Sequence, residues 1–465
     1  MLHNVVPPVG LLYIAASVRR SFPSRYEIKV IDMRFHRLSA REMEGIIRDF
    51  RPDIIGCSVI SCENDCMNEL ANLTKRIDEN IKFIVGGPHP TMYYSDVLGN
   101  GNIDIVVIGE AEVTICELLE SLEGNKNIDC VPGIAYRKEG QIAITKSRGP
   151  ISDLDTVAFP AWDLIPLTRY SDFNQTPMGS LLAGTRYSPL FTSRGCPYQC
   201  IYCHDIFGKE FRKRSAQNVF KEIEELYHKY HVDEFHIFDD IFNFDRDRVK
   251  EICDLIIASG IKIWISFPNG LRGDILDDEL LSKMKSAGTY SITLALETAS
   301  PRLQKSIKKN INIEKLVCVI NAADKLGILT KCFFMLGFPD ETIAEVKKTI
   351  RFACKSRLCL ANFHIVTPQK TTELYDMVKS KNPQFALDLD RTNYYISDKA
   401  YKEKIVKLPL ERLLATAYLK FFLNPRRLIK IWSRTKRKIY LVFGSFYMLR
   451  LFYHYFLKRS GEQIE

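Results

Sequence analysis

The sequence predicts an α/β protein: two sheet domains followed by a basic helical tail. Three observations lead there. In residues 1–148, short apolar runs ending in Gly or Ser alternate with helical patterns, as in a parallel, doubly wound, Rossmann-like sheet. From residue 188 a strand-helix unit recurs about every 28 residues, the length of a repeated βα unit. Beyond about residue 371 the composition turns aromatic and basic. The domains are therefore expected at 1–148, 188–370 and 371–465, with 149–187 as linker.

Taken in order, Pro8–Phe22 reads as a helix, Glu27–Asp32 as a strand and Ala40–Phe50 as an amphipathic helix. Asp53–Ile60 is an apolar strand followed by the helix Cys66–Asn80. Two further strands, Lys82–Gly86 and Ile103–Gly109, lead into Gly87-Pro88-His89-Pro90-Thr91 and Glu110-Ala111-Glu112. Ligands of such sheets sit at the carboxyl ends of the strands. Ser58, Gly86, Gly87, Gly109 and Glu110 are accordingly the candidate binding residues of this half. Gly133–Gly149 reads as a hairpin. Residues 150–187, rich in Pro, Asp and aromatics without a period, read as a wrapping linker.

In the second half the expected strands are Ser188–Thr192, Glu234–Asp239, Lys262–Phe267, Tyr290–Glu297, Leu329–Leu336 and Leu360–Thr367. The helices between them are expected at Asn218–Tyr230, Asp247–Ala258, Asp277–Ala287, Ile313–Leu326 and Glu341–Lys355. Six such units suggest a partial, open (β/α)6 version of the TIM-type barrel, whose chemistry gathers at the C-terminal strand ends. Immediately after the first strand runs Ser193–His204, which sets Cys196, Cys200 and Cys203 at a C-x3-C-x2-C spacing. Thiolates are soft ligands suited to iron–sulfur clusters or zinc, so a cluster, a structural Cys3His zinc knot with His204, and plain buried thiols all stand at this point. Later strand ends carry Asp239-Asp240, Asn269 to Arg272, Glu297 to Ser300 and Gly337 to Thr342. A single carboxylate there could be a helix cap, and Asp340 or Thr342 fits that role. Four polar strand ends in succession favour a site.

The chain's 465 residues exceed one core, and 46% hydrophobic with 26% charged residues is an ordinary globular mix. Thirteen cysteines without paired spacings speak for a reducing, cytoplasmic compartment, and no signal-peptide pattern opens the sequence. The net charge of +9 is misleading as a whole-chain figure, because residues 401–465 alone carry +11. Leu408–Trp432 reads as one helix, with a basic cluster from Arg434 to Lys438. Ile439–Leu457 is aromatic and aliphatic but interrupted by Arg450 and His454, so a full membrane span is not expected. Two readings of the tail stand: a helix at an anionic membrane surface, and a helix packed on the barrel. Nucleic acid is not expected, since aromatics and basic residues do not interleave.

The cysteine spacing, with Tyr202 just before the third cysteine, resembles the radical S-adenosylmethionine (SAM) superfamily. The resemblance implies a [4Fe-4S] cluster held by Cys196, Cys200 and Cys203, whose open iron holds SAM, with Tyr202 near the adenine. It further implies Asp239 and Asp240 at the methionyl amine, Glu297 at ribose or methionyl polar groups, and Asn269 and Arg272 nearby. Gly337 to Pro339 would let backbone approach the adenine. A zwitterionic sulfonium needs this combination: a carboxylate for its ammonium and a cation for its carboxylate. The first half resembles the cobalamin-binding domain found in front of many radical SAM enzymes, through P-P-V-G-L-L-Y-I-A-A (7–16), V-G-G-P-H-P-T (85–91) and V-I-G-E-A-E (107–112). Two departures stand out. The Asp-x-His-x-x-Gly motif that supplies an axial histidine is absent, Asp32 and His36 being wrongly spaced. The usual strand before the first helix is also missing, which would expose a sheet edge.

The resemblance implies an enzyme that cleaves SAM reductively and, with cobalamin, methylates an unactivated carbon of a small or lipid-like substrate. Flavodoxin or ferredoxin would supply the electron. An oxidoreductase or cyclase without methyl transfer, like the anaerobic magnesium-protoporphyrin ester cyclase, shares these motifs. From another class, a non-catalytic, metal-stabilised scaffold at a membrane surface is the rival.

Overall fold

The computed structural model describes residues 5–124, 126–172, 182–385, 401–439 and 441. The chain forms two compact units: one of Val5–Leu167 with Asp205–Arg212, the other of the remainder.

The first unit is built on a five-stranded sheet in the order β1 (Ile54–Ser58), β2 (Lys82–Gly86), β3 (Ile105–Val107), β4 (Ile134–Lys138) and β5 (Gln141–Ile144). Strands β1 to β3 are parallel, and the β4–β5 hairpin adds antiparallel, with Val106 opposite Ala135. Phe83, Val85 and Val106 are fully buried, as residues covered on both faces must be. The helix Ala40–Phe50 starts at a reciprocal Ser39–Glu42 capping box, the strongest start signal a sequence can carry. Two expectations need correcting. Glu27–Asp32 does not form a strand: Ile28 and Val30 pack on Ala15, Ala16 and Ala161, but the segment pairs with no strand among the described residues. The unit also runs past 148 to Leu167, because Trp162 is buried and Glu110 accepts a bond from the Ile151 amide. Among the described residues β1 and β5 are the edge strands of the sheet.

In the second unit β6 (Tyr187–Leu190) precedes the short strand β7 (Ser193–Arg194), and the short strand β8 (Arg212–Lys213) stands where the chain returns to this unit. The sheet continues with β9 (Glu234–Ile237), β10 (Trp264–Leu271), β11 (Thr289–Glu297), β12 (Leu329–Leu336) and β13 (Leu360–Ile365). The main sheet is six-stranded and wholly parallel, in the order β13-β12-β11-β10-β9-β6. Strand order follows chain order, as successive βα units with one hand of crossover require. One face carries Phe235, Ile237, Ile265 and Phe267 against Val219, Ile223, Ile252 and Ile256 of the flanking helices. The opposite, concave face is the inside of the open barrel. All six expected strands and all five helices between them are present to within a few residues.

The tail departs from expectation. A single helix was predicted over Leu408–Trp432, but two form, Leu410–Phe422 and Pro425–Arg434. Pro425 has no amide for a continuing helix, whereas at the first position of a new one it costs nothing, and Asn424 caps that turn through the Arg427 amide. Among the described residues no helix is long and apolar enough to cross a membrane. All of Ile439–Leu457 except Ile439 and Leu441 lies outside the described residues.

Candidate active site

Strand β6 delivers the chain to the cysteine loop, and three buried side chains fix its exit. The Asp239 carboxylate accepts bonds from the Thr192 amide (2.6 Å) and from the Thr192 and Ser193 hydroxyls. Arg248, 4% exposed, donates to the Thr192 carbonyl and hydroxyl, and Arg214 donates to the Phe191 carbonyl. Burial pushes the Asp239 carboxyl up while Arg248 opposes it. Asp239 thus anchors the loop. Its neighbour Asp240 turns to the loop itself and accepts from the Gly195 amide at 3.1 Å, where Gly195 takes φ +81°. The chain reverses there because only glycine enters that region freely.

Cys196 and Cys200 are half-buried and Cys203 is exposed; none is in a disulfide. The Cys203 amide bonds the Cys200 carbonyl, and Ile201 ties the loop to the Ile307 carbonyl and the Leu374 amide. Burial raises the Cys196 thiol. Lys309, which the sequence did not single out, is buried beside Glu297 at 3.5 Å and near Cys200 and Cys203. Burial works against its charge, but Glu297 and the two thiols outweigh it and hold it above the usual lysine value. Glu297 is itself raised by burial, with Lys309 opposing, and it sits at φ +67° at a register shift in β11. A non-glycine residue there stores strain, which is typical of functional positions.

Tyr202 is enclosed: its ring centroid lies 5.8 Å from that of Phe338, and burial, then Glu297, pushes its hydroxyl well above the ordinary tyrosine value. The structure therefore brings Tyr202, Glu297 and the Gly337-Phe338-Pro339 loop together. That loop is held by Glu341, whose carboxylate accepts from the Gly337 (2.6 Å) and Phe338 (3.1 Å) amides, and by the Tyr401 hydroxyl on the Gly337 carbonyl. A side chain at Gly337 would meet Leu410 at 2.7 Å. Asn269 donates to the Phe238 carbonyl. Arg272 stacks on Tyr198 at 3.9 Å, pairs with Asp274 and donates to the Lys309 and Asn310 carbonyls. Its guanidinium is largely spent on shaping the loop that carries Lys309.

Three thiols on one loop suit a cluster better than a single ion. Iron–sulfur cubes take their protein ligands from thiolates, and Cys196, Cys200 and Cys203 are all free thiols on one loop.

In the first unit the predicted residues gather at one sheet edge. The Val59 amide bonds the Gly86 carbonyl, the His89 amide bonds the Val59 carbonyl, and the Gly109 amide bonds the Thr91 hydroxyl at 3.1 Å. At Gly87, φ +92°, a Cβ would lie 2.9 Å from the Ser58 hydroxyl, so Ser58, Gly86, Gly87 and Gly109 form a backbone-lined rim. Glu110 is bonded to buried Arg212 and to the Ile151 amide, a structural use that its sequence position concealed. Both ring nitrogens of His89 are engaged, by Ser61 and Asn64 at 3.1 Å each, so the V-G-G-P-H-P-T segment presents no free imidazole. The rim thus offers backbone and hydroxyl groups rather than a histidine.

Comparison with known proteins identifies both domains. Residues 190–353 match the Radical SAM superfamily and residues 2–119 the B12 binding domain. The chain is 31% identical over 428 residues to an uncharacterized methyltransferase of Pyrococcus horikoshii, covering 91% of this chain and 89% of that one. It is 25% identical to the anaerobic magnesium-protoporphyrin IX monomethyl ester cyclase of Rubrivivax gelatinosus, covering 94% and 77%. In fold it matches OxsB, a cobalamin-dependent SAM radical enzyme solved with aqua-cobalamin and SAM bound, at a TM-score of 0.73 and 17% identity, over 98% of this chain and 74% of OxsB. The chain therefore belongs to the radical SAM enzymes that carry an N-terminal B12-binding domain.

Proposed function

We propose that this enzyme is a cobalamin-dependent radical SAM methyltransferase acting on an unactivated carbon of a small or lipid-like substrate. The observation that carries the reading is the grouping of Cys196, Cys200 and Cys203 with Tyr202, Glu297 and Gly337–Pro339 at one end of the parallel sheet. When bound, the cluster supplies one-electron cleavage of SAM and cobalamin supplies methyl transfer. The chain's own residues bind and orient. Cys196, Cys200 and Cys203 hold three irons. Asp240 and Glu297 offer carboxylates to the methionyl ammonium and ribose hydroxyls, while Asn269 and Arg272 hold the loops around them. Tyr202 and the Gly337–Pro339 backbone border the adenine and exclude water from it. Ser58, Gly86, Gly87 and Gly109 receive cobalamin, with Glu110 fixing the loop behind them. Flavodoxin or ferredoxin delivers the electron. A non-catalytic scaffold does not account for the family membership.

The tail supports a peripheral membrane role for a cytoplasmic protein. Leu428, Ile429 and Trp432 are 50%, 69% and 58% exposed on one helix face, while Arg427 is turned inward onto five carbonyls. An apolar face bordered by Arg426, Lys436 and Lys438 suits an anionic lipid surface.

The test is anaerobic reconstitution with iron, sulfide and cobalamin, followed by incubation with methyl-labelled SAM and soluble or lipid fractions of cell extract. Label in an organic product supports the methyltransferase. Deoxyadenosine formed with no label transferred shifts the reading to an oxidoreductase or cyclase, and protein without iron or SAM cleavage ends both.

A further inference from the structure

Strand β12 alternates cleanly. Cys332, Phe334 and Leu336 are buried on the helix side, where the Phe334 ring centroid lies 5.1 Å from that of Phe363 and 6.4 Å from that of Phe352 on the covering helix. Lys331, Phe333 and Met335 therefore point into the concave face of the barrel. Lys331 lies between Thr293 of β11 and Leu360 of β13, and the next rung up is Ala295, Phe333 and Asn362. Its ammonium sits 5.4 Å from the Phe333 ring centroid, and Phe333 in turn is 6.0 Å from His364. A Cβ at Gly270 would come within 3.8 Å of Phe333, so the absence of a side chain there gives that ring its room.

Among the described residues no carboxylate pairs with Lys331 and no hydrogen bond reaches it. Burial alone holds its ammonium down, to about 8 from the usual 10.5. An unpaired cation inside a fold is costly, and natural chains keep one where a ligand brings the opposite charge. Lys331 is half-buried on that face, whereas the buried arginines named above each have an acid or several carbonyls as partner. Lys331 has an aromatic ring.

We propose that Lys331 anchors an oxyanion of the substrate — a carboxylate, phosphate or phosphonate — on the concave face of the half-barrel. Asn362, on the same face one rung higher, provides an amide beside it, and Phe333 provides an apolar wall. Lys331 precedes by three residues the Phe334 that pairs with Glu297, a rise of about 10 Å along the strand. A substrate held by its anion at Lys331 would therefore reach the rim with a carbon roughly that far away. The inference takes from the proposed function only that this concave face seats the substrate.

The test compares wild-type and Lys331→Met full-length protein, reconstituted anaerobically to equal iron content. Thermal unfolding is followed with inorganic phosphate, methylphosphonate or acetate, each against chloride at equal ionic strength. At least one oxyanion should raise the wild-type midpoint by about 2–4 °C and leave Lys331→Met unmoved, and the ranking of the three identifies the group. Without anion, Lys331→Met should melt at or above the wild-type temperature. Three oxyanions indistinguishable from chloride, or an equal response in the variant, would overturn the proposal. Should Lys331→Met not accumulate, acylation of Lys331 in wild-type protein by acetic anhydride, read by peptide mass spectrometry, decides: protection by oxyanion supports the site and unchanged labelling rejects it. Methyl transfer is not a readout here, so the anion site and the methyltransferase reading fail separately.

Discussion

The two sheets place polar residues at their carboxyl ends in different ways. In the first unit the rim is backbone: Gly86, Gly87 and Gly109 with the Ser58 and Thr91 hydroxyls, while its one acid, Glu110, is locked to Arg212. In the second unit the rim is side chain, but half of it is internal. Asp239 holds Thr192 and Ser193, Arg272 holds the Lys309 loop, and Glu341 holds Gly337 and Phe338. What remains for ligands is the cysteines, Asp240, Glu297, Lys309 and Tyr202. The difference teaches that a polar strand end has two fates, presenting or holding, and that the holders are those with a buried counter-charge or several amides.

The sharpest way to break this comparison is to remove a presenter. Cys203 is exposed, so Cys203→Ala should unfold within about 1 kcal/mol of the wild-type apoprotein. Iron content should fall and SAM cleavage should drop by orders of magnitude, measured as deoxyadenosine formed per mole of protein. A Cys203→Ala protein that still cleaves SAM would place the cluster elsewhere.

Removing a holder should do the reverse. Asp239→Asn leaves Arg248 buried without its acid and should cost about 3–5 kcal/mol in chemical denaturation. Asp240→Asn loses a charge beside the Gly195 amide and should cost less, about 1 kcal/mol, while SAM affinity weakens. Equal costs for the two adjacent acids would erase the distinction between holder and presenter.

Much of this was legible in the sequence, and what was not has a common cause. Six strands and the cysteine loop could be read because periodicity and spacing are local. Asp239 and Asp240 could not be separated, since Arg248, which decides between them, comes from the next helix. Glu110 looked like a ligand residue for the same reason, its partner Arg212 lying 102 positions away. Lys309 and Lys331 carry no motif; their meaning comes from burial, which a lone lysine in a sequence does not announce. Glu27–Asp32 has strand composition but no partner strand among the described residues, and pairing rather than propensity makes a strand.

Glu341 sharpens the comparison through pH. Burial raises its carboxyl from 4.5 to about 7. The folded protein thus keeps a proton that the unfolded chain gives up between those values. Stability should therefore fall as pH rises from about 4.5 to 7, by up to about 3 kcal/mol, and stay flat above. Glu341→Gln, which retains an acceptor for the Gly337 and Phe338 amides, should flatten that slope in denaturation curves taken from pH 5 to 8. An unchanged slope would mean that another group titrates.

The smallest effect separates two glycines of the backbone-lined rim. Gly87 combines φ +92° with ψ −172°, a region almost closed to other residues, and a Cβ there would lie 2.9 Å from both the Ser58 hydroxyl and the Val59 amide. Gly109 has φ +81° with nothing within 4 Å of its Cβ position. Gly87→Ala should therefore cost roughly 2–3 kcal/mol and Gly109→Ala about 1 kcal/mol. If the rim receives cobalamin by close approach of backbone, Gly87→Ala should also weaken binding more than its stability loss explains, measured by equilibrium dialysis at a temperature where both variants are folded. Gly109→Ala, with open space before it, then reports what a methyl group does to the cofactor itself, because no protein atom has to move to admit it. Equal cobalamin affinity in both variants and wild type would mean that the glycines serve the turns alone.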